Sequence, residues 1–154
     1  MPGFISDGPL ARDLIRIGDE AIAREDEAKL RGFYAGDYIF HGPRGDLTFE
    51  ELSAYFASLR EAFSNLRIVR EQIIADGNFL AARNTFSGDF TGVFNYSPIG
   101  PLAPTRQHLE WELINTFRYA DDGRLAEEWV QTDYRSLLTK LGVTTTESAQ
   151  HSAT

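Results

Sequence analysis

Cysteine is absent from the 154 residues of this chain, and basic residues are outnumbered by acidic ones. The lack of cysteine excludes disulfides, thiolate metal sites and cysteine nucleophiles. With 15 Lys and Arg against 23 Asp and Glu, the net charge of −8 opposes contact with a phosphate backbone, so we expect no nucleic-acid partner. Apolar runs stay far below the roughly 20 residues that span a bilayer, and no leader-like segment opens the chain. We therefore expect a cytoplasmic protein with no membrane association.

The length and the 42% hydrophobic content suit a single core. We expect one domain over residues 1–143 and a flexible tail over residues 144–154, which are rich in Thr, Ser and Ala. Apolar residues at three- and four-residue spacing predict one long helix over residues 9–31, with Asp7 as its cap. A Thr-x-x-Glu capping box at residues 48–51 predicts the start of a second helix that ends near Asn65.

Five segments have the pattern of strands. They cover residues 34–41, 66–75, 79–90, 108–119 and 124–134, and Asp-Gly turns join two pairs of them. The proline-rich residues 95–106 predict an irregular loop that could overhang a pocket, and residues 136–141 predict a short final helix. Helices followed by hairpins favour an α+β fold, in which helices pack on one face of a curved sheet and enclose a small-molecule pocket.

The last predicted strand carries the main candidate for acid–base chemistry. Alternation places Trp129, Gln131 and Asp133 on one side of the strand and the intervening residues on the other. A carboxylate beside an indole in a partly dry cavity has a raised pKa, which suits proton abstraction near neutral pH. The alternative is that Asp133 caps the helix over residues 136–141 or pairs with Arg135 at the surface.

Two histidines bear on the site. His41 follows the first strand and could orient a substrate carbonyl or shuttle a proton, or it only braces the Gly-Pro turn that follows it. His108 shares a polar strand face with Glu110 and Glu112, so we expect it at the surface. No histidine spacing places two metal ligands on one face, and phosphate-binding and dinucleotide-binding motifs are missing. We therefore predict no metal and no cofactor.

Further motifs lie in order along the second half of the chain: Phe90-Thr-Gly-Val-Phe94, Pro104-Thr-Arg-Gln-His108, Phe117-Arg-Tyr, Asp122-Gly-Arg-Leu-Ala-Glu127, Trp129, Asp133 and Leu141-Gly142. Together with His41-Gly-Pro, they resemble the SnoaL-like polyketide cyclase family, a branch of the nuclear transport factor two-like superfamily. Arg106 departs from the family pattern, which has a glycine at that position.

The resemblance implies a cone-shaped fold, in which a strongly curved antiparallel or mixed sheet wraps around N-terminal helices. It also implies a homodimer formed across the outer face of the sheet. In the family, an aspartate of the last strand acts as general base for an aldol ring closure that needs neither metal nor cofactor. Asp133 is the position that matches this aspartate, and His41 would be its polarising partner.

We therefore predict a cofactor-independent lyase or isomerase, in which Asp133 abstracts an acidic C–H proton from a small carbonyl or polyketide-like substrate and His41 stabilises the enolate. The candidates for binding this substrate are Tyr34, Phe63, Arg83, Asn115, Trp129 and Gln131. One alternative is a non-catalytic, homodimeric module that binds a small molecule. Another is a hydrolase of the same superfamily, in which Asp133 works with a polarised water and with Arg83 or Asn115.

Overall fold

The structure is a computed structural model and describes residues 4–144. In chain order, the helices and strands are α1 Pro9–Arg16, a π-helical segment Ile17–Ile22, α2 Glu27–Phe33, β1 Tyr34–Gly42, β2 Gly45–Thr48, α3 Phe49–Ala62, β3 Phe63–Asp76, β4 Phe79–Phe90, β5 His108–Tyr119, β6 Leu125–Thr132 and α4 Tyr134–Lys140. Apart from residue 144, the expected flexible tail lies outside the described residues.

The six strands form one open, mixed sheet in the order β2-β1-β6-β5-β4-β3. Neighbouring strands are antiparallel except β1 and β6, which run parallel and bring the first strand beside the last. The sheet curves around the N-terminal helices, and the buried apolar side chains of its inner face pack against them. The α+β prediction is confirmed.

The prediction of one long N-terminal helix is wrong. α1 passes into the π-helical segment, and the chain then turns before α2 begins. Glu25 adopts a positive φ of 66°, and Asp26 caps α2 by accepting a hydrogen bond from the amide of Lys29 at 3.1 Å. Asp7 does not cap α1, since its carboxylate pairs with Arg12 at 2.7 Å instead. The apolar spacing remains helical on both sides of this turn, so it does not reveal the break.

Capping and turn residues predicted the later helices and strands more accurately than apolar spacing predicted the first helix. The Thr48 side chain accepts from the amide of Glu51, whose carboxylate accepts from the amide of Thr48, so the predicted capping box is present. The bounds of β4 and β5 agree with the prediction. β2 was not predicted, because its four residues follow a Gly-Pro turn and are too few to show alternation. Within residues 4–144, no helix has the length and apolar character needed to cross a membrane.

The loop between β4 and β5 returns to the sheet through a strained residue. The amide of Arg106 donates to the carbonyl of Phe90 at 2.8 Å, and the amide of Phe90 donates to the carbonyl of Gln107 at 2.9 Å. Arg106 has a φ of +62°, in the left-handed region that side chains with a Cβ avoid. The glycine of the family pattern would adopt this conformation without that cost.

We therefore expect Arg106→Gly to be more stable than Arg106→Ala by about 1 kcal/mol. Both variants remove the same side chain, so the alanine variant controls for lost contacts, and only the glycine variant relieves the backbone. Chemical denaturation of the two proteins measures the difference. Equal stability, or a more stable alanine variant, would show that the backbone at this position is not strained.

Candidate active site

A cavity of about 400 Å³ lies between the helices and the inner face of the sheet. Most of its wall is aliphatic or aromatic, and the aromatic members are Phe33, Tyr34, Phe40, Tyr55, Phe56, Phe86, Tyr96, Trp111, Phe117 and Tyr134. The charged side chains among its lining residues are Arg44, Arg70 and Glu128. Apolar walls with a few placed polar groups are typical of small-molecule sites.

Exposed residues of one turn and one loop form part of the cavity lining and mark its mouth. The turn between β1 and β2 contributes Pro43, Arg44 and Gly45, and the predicted loop contributes Asn95–Ser97. Arg44 Nη1 donates to the carbonyl oxygen of Tyr96 at 3.0 Å, so the turn and the loop are connected across the mouth. The first three residues of the predicted loop therefore belong to the cavity lining.

Glu128 is the carboxylate of the cavity. It belongs to β6, is 5% exposed and points to the inner face. The hydroxyl of Tyr38 donates to its Oε1, and Asn115 Nδ2 donates to its Oε2 at 2.9 Å. A carboxylate oxygen has two acceptor positions, so each oxygen retains capacity for a further hydrogen bond.

A chain of two amides connects Glu128 to a buried cation. Arg70 Nη1 donates to Asn84 Oδ1 at 3.0 Å, and Asn84 Nδ2 donates to Asn115 Oδ1 at 2.8 Å. Asn115 in turn donates to Glu128 at 2.9 Å. Arg70 is 8% exposed and Asn84 is fully buried. The amide dipoles therefore run in one direction, from guanidinium to carboxylate, and this order fixes which end of each amide is oxygen.

Burial raises the pKa of Glu128 above its ordinary value of 4.5. The hydrogen bonds from Tyr38 and Asn115 and the charge of Arg70 act in the opposite direction, but desolvation is the largest effect. Burial and the nearby Glu128 also raise the pKa values of Tyr34 and Tyr38 well above the usual range, so both hydroxyls stay protonated. The site thus places a carboxyl group with a raised pKa beside the hydroxyl of Tyr38, which donates to it.

Two of the sequence-predicted site residues lie at this cavity. Tyr34 is buried at the start of β1 and lines the wall of the cavity. Asn115 lies on the inner face of β5 and holds Glu128. Their contact with a substrate stays a prediction.

The structure places Asp133 outside the cavity. Its carboxylate accepts a hydrogen bond from the amide of Ser136 at 2.9 Å and thereby caps α4, while its side chain is exposed. This is the alternative that the sequence left open. A capping carboxylate in solvent lacks the dry surroundings on which the general-base argument rested.

His41, Trp129 and Gln131 also lie on the outer face of the sheet rather than in the cavity. His41 and Trp129 are register partners on β1 and β6, and their rings stack with centroids 5.2 Å apart. The imidazole lies between Asp46 Oδ1 at 2.8 Å and Glu127 Oε2 at 2.7 Å, and these carboxylates raise the pKa of His41. Trp129 is 38% exposed and Gln131 is also exposed.

The last two candidates lie elsewhere. Phe63 is buried in the core, where its ring packs on Phe90 and Trp111 with centroids 5.2 and 5.1 Å away. It is not among the residues that line the cavity. Arg83 is on the outer face of β4, with its guanidinium 3.4 Å from Glu112.

Glu128 and Arg70 were missed, although the sequence held a signal for each. The apolar parity of β5 marks its inner face, and hairpin pairing opposes Phe117 to Glu128, so both side chains share that face. In β3, Arg70 continues the alternation of Leu66 and Ile68, which are buried. The prediction used Trp129 as a marker of the interior, and it therefore placed the cavity on the opposite face of β6.

Comparison with known proteins agrees with this architecture. The sequence profile of a family described as SnoaL-like polyketide cyclase matches residues 12–141. No curated protein matches the chain significantly. Among solved structures, a candidate SnoaL-like polyketide cyclase from Jannaschia sp. CCS1 has a TM-score of 0.75 and 20% identity, covering 91% of this chain and 99% of that one.

Two further structures resemble the chain. AclR, a candidate hydroxylase from Streptomyces galilaeus, has a TM-score of 0.70 and 22% identity over 86% of this chain and 78% of its own. A protein from Catenulispora acidiphila with a ketosteroid isomerase-like fold, solved with trimethylamine, has a TM-score of 0.67 and 12% identity over 90% and 96%. At these identities the likenesses establish the fold and leave the chemistry to the residues of the cavity.

Proposed function

Since the chain belongs to the SnoaL-like polyketide cyclase family, we propose that it is a cofactor-independent lyase or isomerase of the cyclase type. Its substrate is a small carbonyl compound with an apolar body, bound in the cavity behind the β1–β2 turn. The group that moves the proton is Glu128. The observation that carries this proposal is a carboxylate buried in an apolar cavity with its pKa raised by desolvation.

The reaction begins with transfer of a proton from a substrate carbon next to a carbonyl. The C–H bond breaks, the proton passes to an oxygen of Glu128, and the electron pair moves to the carbonyl oxygen as an enolate. In a ring closure, the enolate carbon then bonds to a second carbonyl carbon of the same molecule. Glu128 returns its proton to the new alkoxide, so the reaction needs no external oxidant or reductant.

The neighbours of Glu128 suit this exchange of protons. Tyr38 and Asn115 each donate to one carboxylate oxygen, which fixes the plane of the group and keeps it from rotating away from the cavity. Tyr34 lines the same cavity and keeps its phenolic proton, so it can donate to a substrate oxygen on which charge develops. Pre-positioned donors of this kind stabilise an enolate without reorganising during the reaction.

Asp133 with His41 is the competing assignment that the family likeness suggests. It requires both side chains to reach the substrate, whereas one caps α4 and the other packs on Trp129 across the outer face. Asparagine caps a helix about as well as aspartate does. Asp133→Asn therefore removes the acid–base function and preserves the cap, which makes it a matched comparison for a change at Glu128.

We expect Glu128→Gln to lower the rate of carbon-proton exchange by about 10²–10⁴-fold, the usual contribution of a placed general base. The probe is 2-tetralone in D₂O, a flat ketone whose acidic C–H protons exchange for deuterium by the first step alone. Loss of the proton signal in NMR spectra gives the exchange rate above buffer. Glutamine keeps the size of the side chain and one acceptor oxygen.

Asp133→Asn should leave the exchange rate as in the wild-type protein. If Glu128→Gln exchanges at the wild-type rate while Asp133→Asn loses activity, the assignment to Glu128 fails and the general base is Asp133. If neither variant differs from the wild type, carbon-proton abstraction by either carboxylate is excluded, which favours a binding module.

We also propose that the protein is a homodimer formed across the outer face of the sheet. This face exposes Ile39, Ile114 and Trp129 by 43, 58 and 38%. Ion pairs border these apolar side chains, among them Arg118 with Glu127 at 3.1 Å. A surface with apolar groups and both signs of charge can complement itself under a two-fold axis, so a second copy of the chain is the occupant that it suits.

We expect sedimentation at micromolar concentration to give the mass of a dimer. Ile114→Glu should shift the protein towards monomer, because a charge would be buried at the centre of the interface. The matched control is Val93→Glu, which adds the same charge at a loop position that is 46% exposed and should leave the dimer intact. A wild-type monomer would contradict the proposal.

A further inference from the structure

Arg70 is a buried cation in the cavity lining, and its hydrogen bond goes to an amide rather than to a carboxylate. The floor of the cavity is the part formed by Arg70, Glu128 and the two amides that connect them. Arg70 reaches Glu128 only through two amide side chains. Its Nη1 is used by Asn84, whereas its Nε is buried without a hydrogen-bond partner among the described residues. This N–H has almost no accessible surface, so a ligand in the cavity cannot reach it. A ligand oxygen would instead approach the guanidinium where Arg70 lines the cavity, and there it would meet a positive charge that no carboxylate contacts directly.

The charge of this floor depends on a single proton. With Glu128 ionised, the negative carboxylate and the positive guanidinium balance. With Glu128 protonated, the floor carries one unbalanced positive charge in apolar surroundings, where an ion is expensive to bury. An anionic ligand restores the balance. Uptake of one proton and binding of one anion should therefore occur together at this floor.

The surrounding groups can accommodate such an anion. Tyr34 lines the cavity and keeps its phenolic proton because burial raises its pKa, so its hydroxyl can serve as a second donor. Phe33, Phe86 and Trp111 line the wall and would enclose an apolar body. Arginine suits the charged end, because a guanidinium N–H forms a strong, charge-assisted hydrogen bond with a carboxylate or enolate oxygen.

We propose that the cavity binds its ligand as an organic oxyanion, with the charged oxygen at Arg70 and Glu128 in its protonated form. The ligand class is an apolar, ring-sized molecule with a carboxylate, or with an enol or enolisable ketone that has lost its proton. This inference rests on the proposed function, since an enolate formed by proton transfer to Glu128 has the same distribution of charge. The new element is that Arg70 and protonated Glu128 also bind a stable carboxylate.

Isothermal titration calorimetry with 2-naphthoate and the isosteric 2-naphthamide tests the inference on the intact protein. The naphthoate should bind about ten- to a hundredfold more tightly, as a charge-assisted hydrogen bond in place of a neutral one implies. Titrations in buffers with different ionisation enthalpies should detect uptake of about one proton per naphthoate bound. Equal affinities for the two ligands, or binding of naphthoate without proton uptake, would overturn the inference. Both titrations use the wild-type protein, so neither result depends on the folding of a variant.

Three variants locate the effect. Arg70→Met should abolish the preference for naphthoate, while Arg67→Met, which removes one exposed cation from the same strand, should preserve it. Glu128→Gln should bind naphthoate without proton uptake, because glutamine stands in for the protonated acid. Preference retained in Arg70→Met, or proton uptake retained in Glu128→Gln, would assign the effect to other groups and overturn the inference.

The calorimetric and exchange results separate the two proposals. Equal binding of naphthoate and naphthamide, together with slower exchange in Glu128→Gln, would overturn the oxyanion inference alone. Preferential naphthoate binding with proton uptake, together with unchanged exchange in Glu128→Gln, would support oxyanion recognition and overturn proton abstraction by Glu128.

Discussion

A carboxylate inside an apolar cavity must be held by hydrogen bonds, and the chain from Arg70 through Asn84 and Asn115 to Glu128 does this here. Each link lies on a different strand, β3, β4, β5 and β6 in turn, so the polar chain crosses the sheet in the order in which its strands pair. The register of the sheet therefore determines the relative positions of these four side chains. A slip of one residue in any of these strands would turn one of the four side chains to the outer face and break the chain.

The parallel pairing of β1 with β6 has a comparable effect on both faces of the sheet. On the inner face it brings Tyr38 to Glu128, and on the outer face it stacks His41 on Trp129. The two clusters lie on opposite sides of the same pair of strands. The inner cluster is dry and its carboxylate has a raised pKa, whereas the outer cluster is partly exposed and its carboxylates instead raise the pKa of the imidazole. The same residue types thus differ in chemistry because of their burial.

The sequence predicted the elements well where local chemistry determines them. The Thr48 capping box and the Asp-Gly turns are set by neighbouring residues, and the elements that they bound were found. The break before α2 depends on a positive φ at Glu25, which apolar spacing does not reveal. The orientation of β6 depends on pairing with two other strands. An indole tolerates partial exposure when it can stack, so Trp129 was a poor marker of the interior, whereas pairing with Phe117 marks Glu128 as inward.

If Glu128 is the proton acceptor, the cavity must keep it as a carboxylate with a raised pKa. Titration of the protein labelled with ¹³C at glutamate side-chain carboxyl carbons, followed by NMR, measures this directly, and the signal absent from Glu128→Gln identifies the residue. We expect a midpoint clearly above the ordinary value of 4.5, because desolvation outweighs the hydrogen bonds and the charge of Arg70. A midpoint at or below that value would mean that Glu128 is an ordinary ionised partner of the polar chain, and it would contradict the assignment of Glu128 as the proton acceptor.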